Sequence, residues 1–137
     1  MGLDTTHDCW HGAYSAFSRW RNKLAEVAGY SIAKVKYEDG MTWDEVQVDW
    51  GHLQDKLYGD WEETPKDPLL VLIAHSDCEG KIKPKQAKAL ATRLGELLPL
   101  LPDGDGGGHI GNWKEKTQQF IDGLELAAKS KQSVRFH

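Results

Sequence analysis

The run AYSAFSRWRNKLAEV, residues 13–27, fixes one helix and sets the terms for the rest of the chain. Ala13, Phe17, Trp20, Leu24 and Val27 recur at the spacing of one helical face. Ser18, Arg19, Asn22, Lys23 and Glu26 fill the opposite face. Gly29 follows where a helix end favours a left-handed backbone.

Two more helices can be read downstream. Pro84 suits a first helical turn, where its missing N–H does no harm. Ala87, Leu90, Ala91, Leu94 and Leu97 or Leu98 form the apolar stripe that follows, and Pro99 stops it. Asn112 with Glu115 gives a capping signal for a third helix, whose stripe is Trp113, Thr117, Phe120, Leu124 and Ala127. Strands are expected over residues 31–37 and 133–136. A third, buried on both faces, is expected over the continuous apolar run from Leu69 to Ala74. The stretch from Met41 to Trp61 is ambiguous: Thr42 and Glu45 fit a capping box, yet Val46, Val48 and Trp50 alternate as in a strand. These elements describe an α+β fold, with three amphipathic helices packed on a small sheet in a single domain, residues 1–137.

Composition bounds the partners. Hydrophobic residues make up 39% and charged residues 28%, which is globular and not disordered. A net charge of −4 gives no reason to expect DNA or RNA, although it leaves room for local basic patches. No basic stretch followed by an apolar run opens the chain, so no signal peptide is expected, and the longest apolar run is too short to cross a bilayer. With Cys9 and Cys78 alone there is no disulfide framework, and two reduced thiols point to the cytoplasm. Six tryptophans are spread along the chain. A buried tryptophan removes roughly 200 Å² from water, so core packing is the first reading for each, and a stacking platform the second.

Two clusters carry His, Asp and Cys. In Thr5–His11, an extended backbone would point His7, Cys9 and His11 to one face, and imidazole with thiolate is a zinc-type donor set. The plain alternative is a polar segment capping the following helix. The second cluster, HSDCEG at 75–80, follows the expected buried strand, where sheets with parallel strands place ligands. It matches a calcium loop only in part, because His75 and Gln86 stand where the first carboxylate and the bidentate Glu belong. If the clusters met, His7, His11, His75 and Asp77 would make a mixed nitrogen and oxygen metal site of hydrolytic type, or a His would activate Cys9 or Cys78. The glycine-rich loop at 102–111 lacks a Gly-Lys-Ser or Gly-Lys-Thr and carries Asp103 and Asp105, so it reads as a connection, with His109 and Trp113 as its residues of interest.

The stretches MGLDTTHDCWHGAYSAF, residues 1–17, and AHSDCEG, residues 74–80, resemble those of small uncharacterised proteins from bacteriophages and bacteria. The resemblance implies action in a host cytoplasm and, by analogy with small phage proteins that antagonise defence, sequestration of a nucleotide-like signal. It transfers no catalytic residue and no cofactor.

Three functions follow as expectations. The first is a small-ligand-binding protein whose pocket is lined by His7, Trp10, His11, His75, Ser76 and Asp77, with Arg19 and Arg21 pairing a phosphate and His109 nearby. The second is a metal-dependent hydrolase or transferase using both clusters. The third is an inhibitor of a protein partner, anchored by surface Trp43, Trp50 and Trp61. A homo-oligomer is compatible with all three.

Overall fold

Helix α1, Tyr14–Val27, forms where the apolar stripe predicts it and buries Ala16, Phe17, Trp20, Leu24 and Ala25. Its end is a Schellman motif: Gly29, at φ 98°, donates to Glu26 O and Tyr30 donates to Ala25 O. The computed structural model describes residues 2–106 and 111–137. The other two long helices are α4, Pro84–Leu97, and α5, Trp113–Lys129; the latter is capped by Asn112, whose side chain accepts from the N–H groups of Lys114 and Glu115.

The expected buried strand at 69–74 is instead a short helix, α3, Leu69–Ile73, preceded by a one-turn helix α2, Trp50–Leu53. An all-apolar run has no period, so pattern alone cannot separate a buried strand from a buried helix turn. The ends decide it. Asp67 Oδ1 accepts the Leu69 N–H at 3.0 Å, and at the other end the Arg21 guanidinium donates to Leu72 O and His75 O at 3.2 and 2.7 Å. Both termini thereby find partners for backbone groups that a helix leaves open. The capping box at Thr42–Glu45 is overridden too. Residues Thr42–Val46 form strand β4 against β3, Ile32–Lys36, with Trp43 opposite Val35 and Val46 opposite Ile32.

The remaining strands are short. β1, Gly2–Asp4, pairs with β2, His11–Ala13, and β5, Lys81–Ile82, pairs with β6, Val134–Arg135. All these pairings are antiparallel, so no parallel strand end is present among the described residues to serve as a ligand crevice. A bridge from Thr5 to Phe136, with reciprocal bonds between Asp4 and His137 at 3.0 and 2.9 Å, sets the C-terminal strand beside the N-terminal segment. On its other side, the Phe136 N–H donates to Gly80 O at 2.9 Å. The C-terminal strand thus lies between the two sequence clusters.

An aromatic group fills the core. Trp10 and Trp20 lie 5.1 Å apart, Trp20 and Phe120 4.9 Å, and Phe17 meets Trp10 edge-on at 5.1 Å. The Trp20 indole N–H donates to Thr117 Oγ1 at 2.9 Å, which satisfies two buried polar groups with one bond. Trp61 and Trp113 are also buried, Trp50 is half-buried and Trp43 is exposed. Trp61 is therefore no surface anchor. No helix among the described residues is long and apolar enough to cross a membrane.

Candidate functional site

The first cluster does not run extended. The chain reverses in a 3₁₀ turn, Thr6–Asp8, in which His7 and Asp8 both have positive φ, 61° and 56°. Burial of the residues that follow explains the reversal. Trp10 and Cys9 are fully buried, and Thr5 closes the turn, its Oγ1 accepting the Trp10 N–H at 2.9 Å. Consequently His7, Cys9 and His11 diverge.

His7 lies between Thr6 Oγ1, 2.9 Å from Nδ1, and Gln132 Oε1, 2.8 Å from Nε2. Gln132 Oε1 can only accept, so His7 donates to it from Nε2, while Thr6 Oγ1 also accepts the Arg135 N–H. Cys9 packs against α5, and burial pushes its thiol up to about 12, so it offers no thiolate. His11 stands on the surface between Asp4 and Asp8, with Nδ1 and Nε2 at 2.8 and 3.0 Å from a carboxylate oxygen of each. Both bonds favour its charged form and raise its pKa.

The turn seats on α5 at Gly123. A Cβ there would collide with Cys9 Sγ and come within 2.7 Å of His7 O. Gln119 Nε2 donates to Asp8 O at 2.9 Å and holds the turn down. Between turn and helix runs an open groove of about 420 Å³, lined by His7 and Asp8 on one side and Glu115, Gln118, Asp122 and Leu126 on the other. Three carboxylates face it, and no Lys or Arg lines it. Sequence reasoning missed Glu115, Gln118 and Asp122, because a polar stripe opposite an apolar one reads as a solvated face. The available signal was Gly123, a glycine inside a helical pattern with no capping role.

The second cluster is structural. His75 is buried, with Nδ1 2.7 Å from Ser76 O, Nε2 3.0 Å from Lys81 O, and its ring 4.0 Å from that of Phe136. Both ring nitrogens face carbonyl oxygens, and a neutral imidazole donates to only one. Burial lowers the pKa of His75; the two carbonyls oppose this, and the Arg21 charge adds to the lowering. Ser76 Oγ accepts from the N–H groups of Cys78 and Glu79, which makes 76–79 a hydroxyl-closed turn and not a cation loop. Desolvation lowers Arg21 to about 10, with Asp77 opposing.

The residues expected to share one pocket therefore separate. His7 reaches the groove, Trp10 belongs to the core, and His11 locks the turn from outside. His75 and Ser76 hold the 75–81 loop, with Asp77 beside Arg21. Arg19 donates to Gly106 O at 2.7 Å, away from both clusters, and His109 lies outside the described residues. Among the described residues no group of three or more His, Cys, Asp or Glu is placed to hold a metal ion, so His7, His11, His75 and Asp77 do not form the combined centre. Cys78 is exposed, and its thiol lies 3.5 Å from Ser76 Oγ, not beside an imidazole. No family model matches the chain. No curated protein and no solved structure matches it either.

Proposed function

We propose that the chain is a small-ligand-binding protein whose site is the groove between the Thr6–Asp8 turn and α5, and that its ligand is cationic. The observation that carries this reading is the turn itself. Two consecutive non-glycine residues in left-handed backbone cost roughly 1–2 kcal/mol each, less where the residue is Asp. Such strain persists where surrounding structure over-determines it, and it concentrates at ligand clamps. Here Gln132 bonds His7, Gln119 bonds the Asp8 carbonyl and His11 bonds the Asp8 carboxylate, so the turn that lines the groove is held from three sides.

Groove chemistry supplies the ligand class. Asp8, Glu115 and Asp122 offer acceptors for amine or guanidinium N–H groups, and the half-exposed Leu126 offers a shelf for methylene groups. A linear polyamine or a basic side chain fits this pattern. A nucleotide phosphate does not, since three carboxylates would repel it, so the expected nucleotide-like signal gives way to a cation. Exposed ion pairs contribute about 0.2–1 kcal/mol each, so three of them supply at most about 3 kcal/mol, which places the dissociation constant in the millimolar range and not in the nanomolar.

Calorimetric titration with spermidine at low salt tests the reading. One site per chain, weakened about tenfold or more in Glu115→Gln/Asp122→Asn, supports it. Absence of binding, an unaffected double variant, or preference for AMP over spermidine refutes it.

A separate observation favours the protein-interaction reading as the second choice. The β3–β4 hairpin exposes Tyr37 and Trp43, stacked at 3.5 Å, with Met41 beside the turn. That reading requires a stable protein complex that Trp43→Ala abolishes, with the groove variants unaffected.

A further inference from the structure

Charge is unevenly placed along this acidic chain. No Asp or Glu occurs from Lys81 to Gly95 or from Leu126 to His137, yet these stretches hold eight of the seventeen Lys and Arg residues. The rest of the chain has nine cations against twenty-one acids. The fold gathers the two stretches at one end. Strand β5 leads through Lys83 into α4, the end of α5 leads into β6, and β5 pairs with β6. Lys88 and Lys129 line one groove between α4 and α5, above Ala91 and Ala128. Leaving out Arg93, which pairs with Asp67 and Glu96, seven cations remain: Lys81, Lys83, Lys85, Lys88, Lys129, Lys131 and Arg135. None of them forms an ion pair among the described residues.

Two of these placements work against the fold. Lys81 stands directly opposite Arg135 in the β5–β6 ladder, and like charges in cross-strand register repel. Lys83 and Lys85 occupy the start of α4, where the helix dipole disfavours cations; that turn has neither an acidic residue nor a side-chain cap. Lys129 and Lys131 have an ordinary explanation, since a helix C-terminus favours cations. The other arrangement has none within the chain, and an external anion would relieve both of its costs at once.

The surroundings indicate which anion. A protein partner of ordinary kind requires an apolar centre; the exposed large hydrophobics Tyr37, Met41, Trp43 and Leu100 lie on other elements, and Leu126, although on α5, lines the groove against the Thr6–Asp8 turn. The sixth, Tyr58, is here: its carbonyl accepts the Lys81 N–H at 3.4 Å, and its side chain is half-exposed. Dispersed lysines suit a phosphodiester backbone, and one exposed aromatic beside them suits an unstacked base. We propose that this end of the molecule binds single-stranded nucleic acid, with Lys81, Lys83, Lys85, Lys88 and Arg135 along the backbone and Tyr58 under a base. Acids stand at its margin: Glu125 beside Lys88 and Lys129, Glu79 next to Gly80, which bonds Phe136, and Asp60 next to Gly59, which packs on Lys81. The acidic remainder of the chain confines binding to this face.

Fluorescence polarisation of a labelled 20-nucleotide oligothymidine with the full chain tests it. Neutralising about five phosphates should weaken binding roughly five-hundredfold between 25 and 150 mM NaCl, at a slope of about −0.7 per phosphate. Lys81→Gln/Lys85→Gln/Arg135→Gln should weaken binding at least tenfold and flatten the slope by about 2. Lys83→Gln/Lys88→Gln reads the same face without touching the ladder and should flatten it by about 1.4. Tyr58→Ala should lower affinity with the slope unchanged, and Lys34→Gln/Lys36→Gln on the hairpin should change neither. No binding at 25 mM, salt slopes unmoved by both charge variants, or polyglutamate bound as tightly as the oligonucleotide would overturn the proposal.

Discussion

Replacing Gly123 by alanine probes the seat of the turn on α5. In an unhindered helix the change stabilises by about 1 kcal/mol, because alanine gives up less backbone freedom. At this position the new Cβ would meet Cys9 Sγ, His7 O at 2.7 Å and Cys9 Cα at 3.2 Å. Two of these are backbone atoms, so relief requires the 6–9 turn to lift, which strains the Gln119 bond to Asp8 O and the His7 bond to Gln132. Overpacking of this kind costs up to about 3 kcal/mol, leaving a net loss of about 1–2 kcal/mol after the helix gain. In a chain of this size that lowers Tm by about 3–8 °C. Gly95 is the internal control: it lies in α4 with nothing within 4 Å of its added Cβ, so Gly95→Ala should raise stability by up to about 1 kcal/mol. Urea denaturation of both variants reads the two signs. A Gly123→Ala protein as stable as the parent would show that the turn is not seated on α5 as described.

Further outcomes follow from the same contacts. Arg21→Met leaves His75 O without a donor, while Leu72 O keeps the His75 N–H, and should cost about 1–3 kcal/mol in denaturant titration; a loss below 0.5 kcal/mol would mean water replaces the guanidinium. Thr117→Val strands the Trp20 indole N–H in the core and should cost about 1–3 kcal/mol, with a shift in tryptophan fluorescence as a second readout. His11 and His75 act oppositely with pH. His11 has a raised pKa, so its contribution is complete below 6.5 and is lost as pH rises through its folded value; with the ring half-exposed it stays under about 1 kcal/mol. His75 has a lowered pKa, so its contribution is complete above 6.5 and is lost as pH falls through its folded value. An NMR titration of the ring protons checks both, and a His11 midpoint at or below 6.5 contradicts the Asp4 and Asp8 bonds. Maleimide should label Cys78 in the native protein and reach Cys9 only after unfolding.

The three long helices were legible because each carries one apolar stripe beside a polar one, and Gly29, Pro84 and Asn112 mark their ends. Leu69–Ala74 was not, since a run with no polar residue has no face. What made it a helix is the Asp67 side chain at one end and Arg21 at the other, the latter 51 positions from Leu72. Thr42 and Glu45 carried a true capping pattern that lost to cross-strand pairing, where Trp43 meets Val35 and stacks on Tyr37. At the candidate site the clusters were visible but their shape was not. Left-handed backbone at His7 and Asp8 has no glycine to announce it; it arises because Cys9 and Trp10 are drawn into the core. The groove's far wall is a helix face 107 or more positions away from Asp8, brought there by Gly123.

The most direct test of a cation-binding groove is where a cation lands. Amide chemical-shift mapping of the isotope-labelled chain during a spermidine titration should move residues 6–9 and 115–126 together, with a single saturating midpoint, and should lose that response in Glu115→Gln/Asp122→Asn. Shifts scattered over every acidic surface residue without saturation, or a saturating response centred on another face, would contradict the assignment.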